Sequence, residues 1–215
     1  MKLWEILGFG RASRKRSEPA RVAEPFAMMV DRTSESICGD FTLQEEARTH
    51  LSGGPRPHEF MDRLLRAGLH ADATRFLAYG LPEREAVWWA ALCARSVPAC
   101  CSDEIAKGAL AAGEAWVKEP GEMTRDRASA AAKRHKFELP TAPAAWVAMA
   151  AAWSAGAPPA PGDPSPAPPK HLTAHAVAGA VMLAAAVEPS RATESYQRFL
   201  ETGVKIAQGK LRVSA

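Results

Sequence analysis

Residues 176–187 read AVAGAVMLAAAV, and this run of alanine and other apolar residues decides the class of the fold. Similar alanine-rich stretches occur at 109–117 (ALAAGEAWV) and 144–153 (AAWVAMAAAW). Alanine is the best helix-forming residue, whereas strands favour β-branched residues and a sustained period-2 alternation, which this chain lacks. The sequence therefore predicts an all-α protein.

The stretch LPEREAVWWAALCAR, residues 81–95, predicts a helix with Pro82 at its first position and Arg95 in its last turn. At 100° per residue, bulky side chains cover one face of this helix and small side chains cover the other. That division suits a helix packed between two neighbours. We interpret Trp88 and Trp89 as core residues. The alternative is that one of them is a surface anchor for a partner protein, because indole rings are favoured at interfaces.

The apolar spacing predicts about eight helices, packed in a compact, repeat-like arrangement of helical hairpins. One hairpin lies at 57–80, with Gly68 at the turn. We expect a single helical domain over residues 35–210. Residues 156–169 contain seven prolines and cannot form regular structure. We interpret them as a surface loop of that domain, with an interdomain linker as the alternative.

Residues 1–34 are predicted to form a flexible basic tail with a short amphipathic start. The first 25 residues carry six basic and three acidic side chains, which accounts for the whole net charge of +3. The rest of the chain is electrically balanced, so nucleic acid is not an expected partner of the body.

The start of the tail combines apolar side chains with a basic cluster. The apolar side chains, which are the candidate partner-binding residues, are Leu3, Trp4, Ile6, Leu7 and Phe9, and the basic ones are Arg11, Arg14, Lys15 and Arg16. Three interpretations stay open. The tail is simply solvated, or its apolar segment docks in a groove of a partner protein, or residues 1–16 attach the protein to an anionic membrane surface.

Evidence for reaction chemistry is sparse. His171 and His175 stand four residues apart and are weak candidate metal ligands, but the glutamate of the zinc motif HExxH is missing. The four cysteines form no CxxC pair. We predict neither a metal nor a cofactor and no catalytic residue. An enzyme with an unrecognised site, near the start of the His171 helix, remains the alternative.

Targeting features favour the cytoplasm. The N-terminus does not have the charge order of a signal peptide, and no apolar run approaches the roughly 20 residues of a membrane span. The cysteine usage fits a reducing compartment.

Three segments carry a resemblance to a known family. These are FMDRLLRAGLHADATRFLAYGLPEREAVWWAALCAR at 60–95, LTAHAVAGAVMLAAAV at 172–187 and YQRFLETGVKIAQGK at 196–210. The sequence resembles an uncharacterised bacterial, all-helical family that is associated with type VI secretion gene clusters, over roughly residues 35–210. The resemblance implies an accessory, adaptor or chaperone-like protein that binds a secretion component or effector. It implies no catalytic residues.

Overall fold

The computed structural model describes residues 21–29, 31–135, 142–154 and 171–213. Within these ranges the chain forms ten α-helices and no strand, and eight of the helices have ten residues or more. This confirms the predicted all-α fold of about eight helices. The helices are α1 (Ser34–Cys38), α2 (Glu45–Thr49), α3 (Pro57–Ala67), α4 (His70–Gly80), α5 (Glu83–Arg95), α6 (Glu104–Lys118), α7 (Glu122–Lys133), α8 (Pro143–Ala152), α9 (Leu172–Ala186) and α10 (Ala192–Ala207).

The alanine-rich helices α8 and α9 form the centre of the molecule. Their apolar residues run around the whole circumference, and a helix of that kind must be buried. Helix α9 packs against α4, α5, α8 and α10, while α8 packs against α5, α6, α7 and α9. Residues 155–170 lie outside the described residues, and the helices on either side of them pack directly against each other in one core.

Helix α5 connects the two halves of the core. It contacts α6, α8, α9 and α10. The bulky Trp89 is fully buried beside α10, where Gly203 provides the space for it. A Cβ atom at Gly203 would lie 2.8 Å from the Trp89 ring, so α10 can approach α5 closely because residue 203 has no side chain.

Helices α3 and α4 form the predicted hairpin. Gly68 ends α3 in the left-handed conformation, with φ of 73°, which is easily reached only by a residue without a Cβ atom. At the start of α3, the Glu59 carboxylate accepts a hydrogen bond from the backbone N–H of Arg56 at 2.8 Å. This local pairing fixes the beginning of the helix.

The folded body begins before the sequence boundary at residue 34. Residues 21–29, here called the N-terminal strap, lie on the body, and Val22, Phe26 and Met29 are buried. The backbone N–H of Val22 donates a hydrogen bond to Asp62 of α3 at 2.9 Å. The sequence predicts a flexible tail here because this part of the chain is charged, contains prolines and has few apolar side chains to bury. In the structure they belong to the core.

No individual helix in the described ranges is long and apolar enough to cross a membrane. Helices α9 and α10 meet the length and composition criteria only when taken together, and a bend of 102° separates them.

Candidate protein-interaction groove

The residues predicted to bind a partner at the N-terminus fall outside the described residues. They are the apolar group Leu3, Trp4, Ile6, Leu7 and Phe9 and the basic group Arg11, Arg14, Lys15 and Arg16. The described chain starts at Arg21, and residues 17–20 separate it from this segment.

The two tryptophans of α5 have different environments. Trp89 is fully buried, and its indole N–H donates a hydrogen bond to the backbone carbonyl of Phe199 at 2.8 Å. Trp88 is half-buried at the edge of the core. The structure therefore places Trp89 inside the core, where a partner cannot reach it, and leaves part of Trp88 accessible.

His171 and His175 contact different neighbours at the start of α9. The Nε2 atom of His171 lies 3.3 Å from a carboxylate oxygen of Asp40, and its ring lies beside Tyr79. The ring of His175 packs edge-on against Trp146. The described residues contain no group of three or more potential ligands that could hold a metal ion. Among the described residues, the fold therefore brings no third metal ligand to His171 and His175.

The buried cysteines are poorly suited to metal binding or nucleophilic chemistry at neutral pH. Burial raises the pKa of Cys38 to about 12 and that of Cys100 to about 11. Burial also raises the pKa of Cys93, which is surrounded by the core. Since the thiolate is the reactive form, these three side chains act as small apolar core residues.

A surface concavity lies between the N-terminal strap and α10, and we call it the α10 groove. Its volume is about 550 Å³, within the range of about 300–1,000 Å³ that is typical of ligand pockets. Its walls are residues 21–24 on one side and the outward side of α10, from Glu194 to Gln208, on the other. Leu65 and Val204 contribute apolar surface between these walls.

Charged side chains surround this apolar strip. Lys205 pairs with Glu201, and Lys210 pairs with Glu24 on the strap, each at 2.7 Å. Arg21 and Arg198 make no ion pair with any described residue. The Arg198 guanidinium instead lies 5.3 Å from the centre of the Phe199 ring. Two guanidinium groups at the groove are therefore available to an acidic ligand.

His70 forms part of the groove wall in its uncharged state. Its ring stacks on Tyr196, with ring centres 5.7 Å apart and planes 11° apart. Burial lowers the pKa of His70 below the ordinary value of 6.5, and burial also raises the pKa of Tyr196. Both rings are neutral at pH 7, so the His70 ring adds uncharged surface to the groove beside the charged rim.

The α10 groove is lined by charged, amide and apolar side chains and by one imidazole, that of His70. Its lining contains no serine, threonine or cysteine that could act as a nucleophile, and the His70 ring is held by its stack on Tyr196. Two smaller concavities are also present, one of about 400 Å³ between the strap and the start of α3, and one of about 190 Å³ beside His135.

The sequence alone did not identify this groove. Apolar residues recur along one side of α10, where they are buried, but this pattern does not show which element borders the exposed side. The one available signal was the spacing of Val22, Phe26 and Met29, which places three apolar residues in a charged, proline-containing stretch.

Comparison with known proteins supplies a family. A model described as a family of unknown function, DUF6931, matches residues 60–207, more than half of the chain. The chain belongs to the DUF6931 family. The predicted membership in an uncharacterised family is thereby confirmed. The DUF6931 region runs from α3 to the last residue of α10, so it includes the helical side of the groove and leaves the strap outside.

No curated protein and no solved structure matches the chain. The DUF6931 family has no described function, so it assigns no role to any residue of the groove.

Proposed function

We propose that this protein is a non-enzymatic accessory, adaptor or chaperone-like protein that binds another protein in the cytoplasm. The observation that carries the proposal is the α10 groove. It combines an apolar strip with two guanidinium groups that no described carboxylate neutralises.

The groove indicates the chemistry of the partner. A protein segment that fits it carries a few large apolar side chains for the strip beside Leu65 and Val204. It also carries at least one carboxylate for Arg21 or Arg198, because an arginine pairs best with a planar anionic group. Short segments of this kind commonly bind in grooves beside a helix.

We further propose that the partner is a component or effector of a type VI secretion system. The support is the resemblance carried by residues 60–95, 172–187 and 196–210, since the family match itself names no function. An adaptor needs a binding surface and no reactive group, and the α10 groove has that character.

The test is a quantitative pull-down of the full-length chain at native expression, in cells that carry the neighbouring genes. We compare the wild-type protein with two groove variants, Leu65→Glu and Arg198→Glu. The matched control for Arg198→Glu is Arg127→Glu, which makes the same change of charge on the exposed side of α7.

We expect a stoichiometric secretion partner with the wild type and the control, and about tenfold less with each groove variant, the effect of losing about 1.4 kcal/mol of binding energy. Recovery of no stoichiometric partner contradicts the proposal. Equal recovery with all four proteins also contradicts it, because binding would then not use the groove.

A further inference from the structure

We propose that in the free protein the α10 groove is occupied by residues 3–9 of the same chain. The apolar segment at the N-terminus would then act as an internal competitor for the partner. This inference rests on the proposed function in one respect, namely that the partner uses the same groove.

The attachment point of the segment is the first argument. Arg21 lines the groove, and the next residue is fixed to the body through its buried side chain and the hydrogen bond from Val22 to Asp62. The chain therefore leaves the body from the groove wall itself. Any segment connected through Arg21 starts at the edge of the concavity.

The length of the connection is the second argument. Residues 10–20 separate Phe9 from Arg21, which makes eleven connecting residues. Eleven residues span at most about 36–40 Å when extended. They span about 17–20 Å on average as a random coil. The segment can therefore return to the wall from which it departs, and its effective concentration at the groove is of the order of millimolar.

The chemistry of the segment is the third argument. Its large apolar side chains, Leu3, Trp4, Ile6, Leu7 and Phe9, suit the apolar strip of the groove. Glu5 lies among them and is the only acidic residue in the first seventeen. Arg21 and Arg198 are the two groove cations without an ion-pair partner among the described residues. The segment therefore supplies both parts of the ligand that the groove requires.

The tether favours occupancy within one chain over exchange between two copies. At micromolar protein concentration, a second copy offers its segment at about a thousandfold lower concentration than the chain's own. If the segment alone binds with a dissociation constant near 0.1 mM, millimolar effective concentration weakens the apparent affinity for a partner by about tenfold.

The experiment places the photo-crosslinker p-benzoylphenylalanine at position 4 of the full-length chain, in place of Trp4. The protein is illuminated at low micromolar concentration, and the products are separated by mass and mapped as tryptic peptides. We expect a monomeric product in which position 4 is joined to α3 or α10. The peptide 199–205, which contains Leu200 and Val204, is the principal expected target.

Charge variants make the test specific. Arg198→Glu and Glu5→Arg should each lower the yield of this product by about two- to fivefold, the effect of one exposed ion pair. The double variant should restore the yield. Arg127→Glu, on the far helix α7, should leave it unchanged. Glu5→Arg alters no described residue, so its effect does not depend on the stability of the body.

Crosslinks to other parts of the body, crosslinks only between two copies, or no crosslink would each overturn the inference. The experiment contains no partner, so its outcome is independent of the pull-down. If the groove captures the segment but no partner is recovered, the inference stands and the proposed function is contradicted. If a partner is recovered but the segment does not crosslink to the groove, the proposed function stands and the inference is overturned.

Discussion

At the scale of single residues, Trp89 joins parts of the chain that are far apart in sequence. Its ring fills the space beside Gly203, and its N–H group satisfies the carbonyl of Phe199, 110 residues away. A buried indole needs such a partner, because an unpaired polar group in the core costs about 1–3 kcal/mol. One side chain therefore fixes both the separation and the register of α5 and α10.

Replacing Trp89 by phenylalanine should lower the free energy of unfolding by about 1.5–3 kcal/mol. The variant loses a buried hydrogen bond and leaves part of the indole volume empty. Trp88→Phe is the matched control, and we expect a change below about 1 kcal/mol because Trp88 is only half-buried. Urea denaturation followed by far-UV circular dichroism measures both. Equal losses would show that the burial of Trp89 is not the cause.

At the scale of helices, glycine positions determine how closely neighbours approach. Helix α6 contains two informative glycines, Gly108 and Gly113. Gly108 is exposed, and a Cβ atom there would meet no other group within 4 Å. Gly113 is buried against α8, and a Cβ atom there would lie 2.8 Å from a methyl carbon of Val147. The same helix thus contains one glycine that packing requires and one that it does not.

The two alanine variants should therefore shift stability in opposite directions. Gly108→Ala should raise the free energy of unfolding by about 0.5–1 kcal/mol, because alanine restricts the unfolded chain and favours a helix. Gly113→Ala should lower it by about 1–3 kcal/mol, since the β-branched Val147 cannot easily change rotamer to make room. Thermal unfolding of the pair tests this comparison, and stabilisation by both substitutions would refute the close contact between α6 and α8.

Local sequence patterns predicted the long helices well. The hairpin predicted at 57–80 agrees with α3 and α4, and Gly68 lies at the turn between them as predicted. These features depend on neighbours within one or two turns. The start of α5 differs by one residue from the prediction, because Pro82 is the N-cap and Glu83 is the first helical residue.

Local sequence patterns could not predict the groove, because it depends on contacts between segments that are distant in the sequence. Glu24 meets Lys210 from the other end of the chain, and the N-terminal Val22 is held by Asp62. Neither segment has a periodic sequence pattern that predicts these contacts. Phe26 and Met29 are also too few to produce a recognisable amphipathic pattern, although both are almost fully buried.

At the scale of the whole molecule, two histidines connect stability to pH, namely the buried His58 and the partly buried His70. Burial lowers the pKa of His70, and burial, followed by the nearby Arg56 charge, lowers the pKa of His58. His70 packs against α10 through Tyr196, whereas His58 packs against Phe26 of the strap. Both histidines therefore lie where the two ends of the chain meet the body.

The sign of this effect follows from the lowered pKa values. As the pH falls through 6.5, the unfolded chain binds protons at these histidines before the folded protein does. The stability that they contribute is complete above pH 6.5 and is lost as the pH falls toward their folded pKa values. The pKa of Glu59, held at about 2 by its hydrogen bonds to Arg56, affects stability only at lower pH, as the carboxyl titrates below its ordinary value of 4.5.

We therefore expect the free energy of unfolding to decrease between pH 7.5 and pH 5, and His70→Gln to reduce that slope. Urea denaturation at half-unit pH intervals measures the slope directly. A slope that is the same in the wild type and His70→Gln would contradict the prediction. A stability that increases as the pH falls would contradict the burial of both imidazoles in their neutral form, and with it the uncharged wall assigned to the α10 groove.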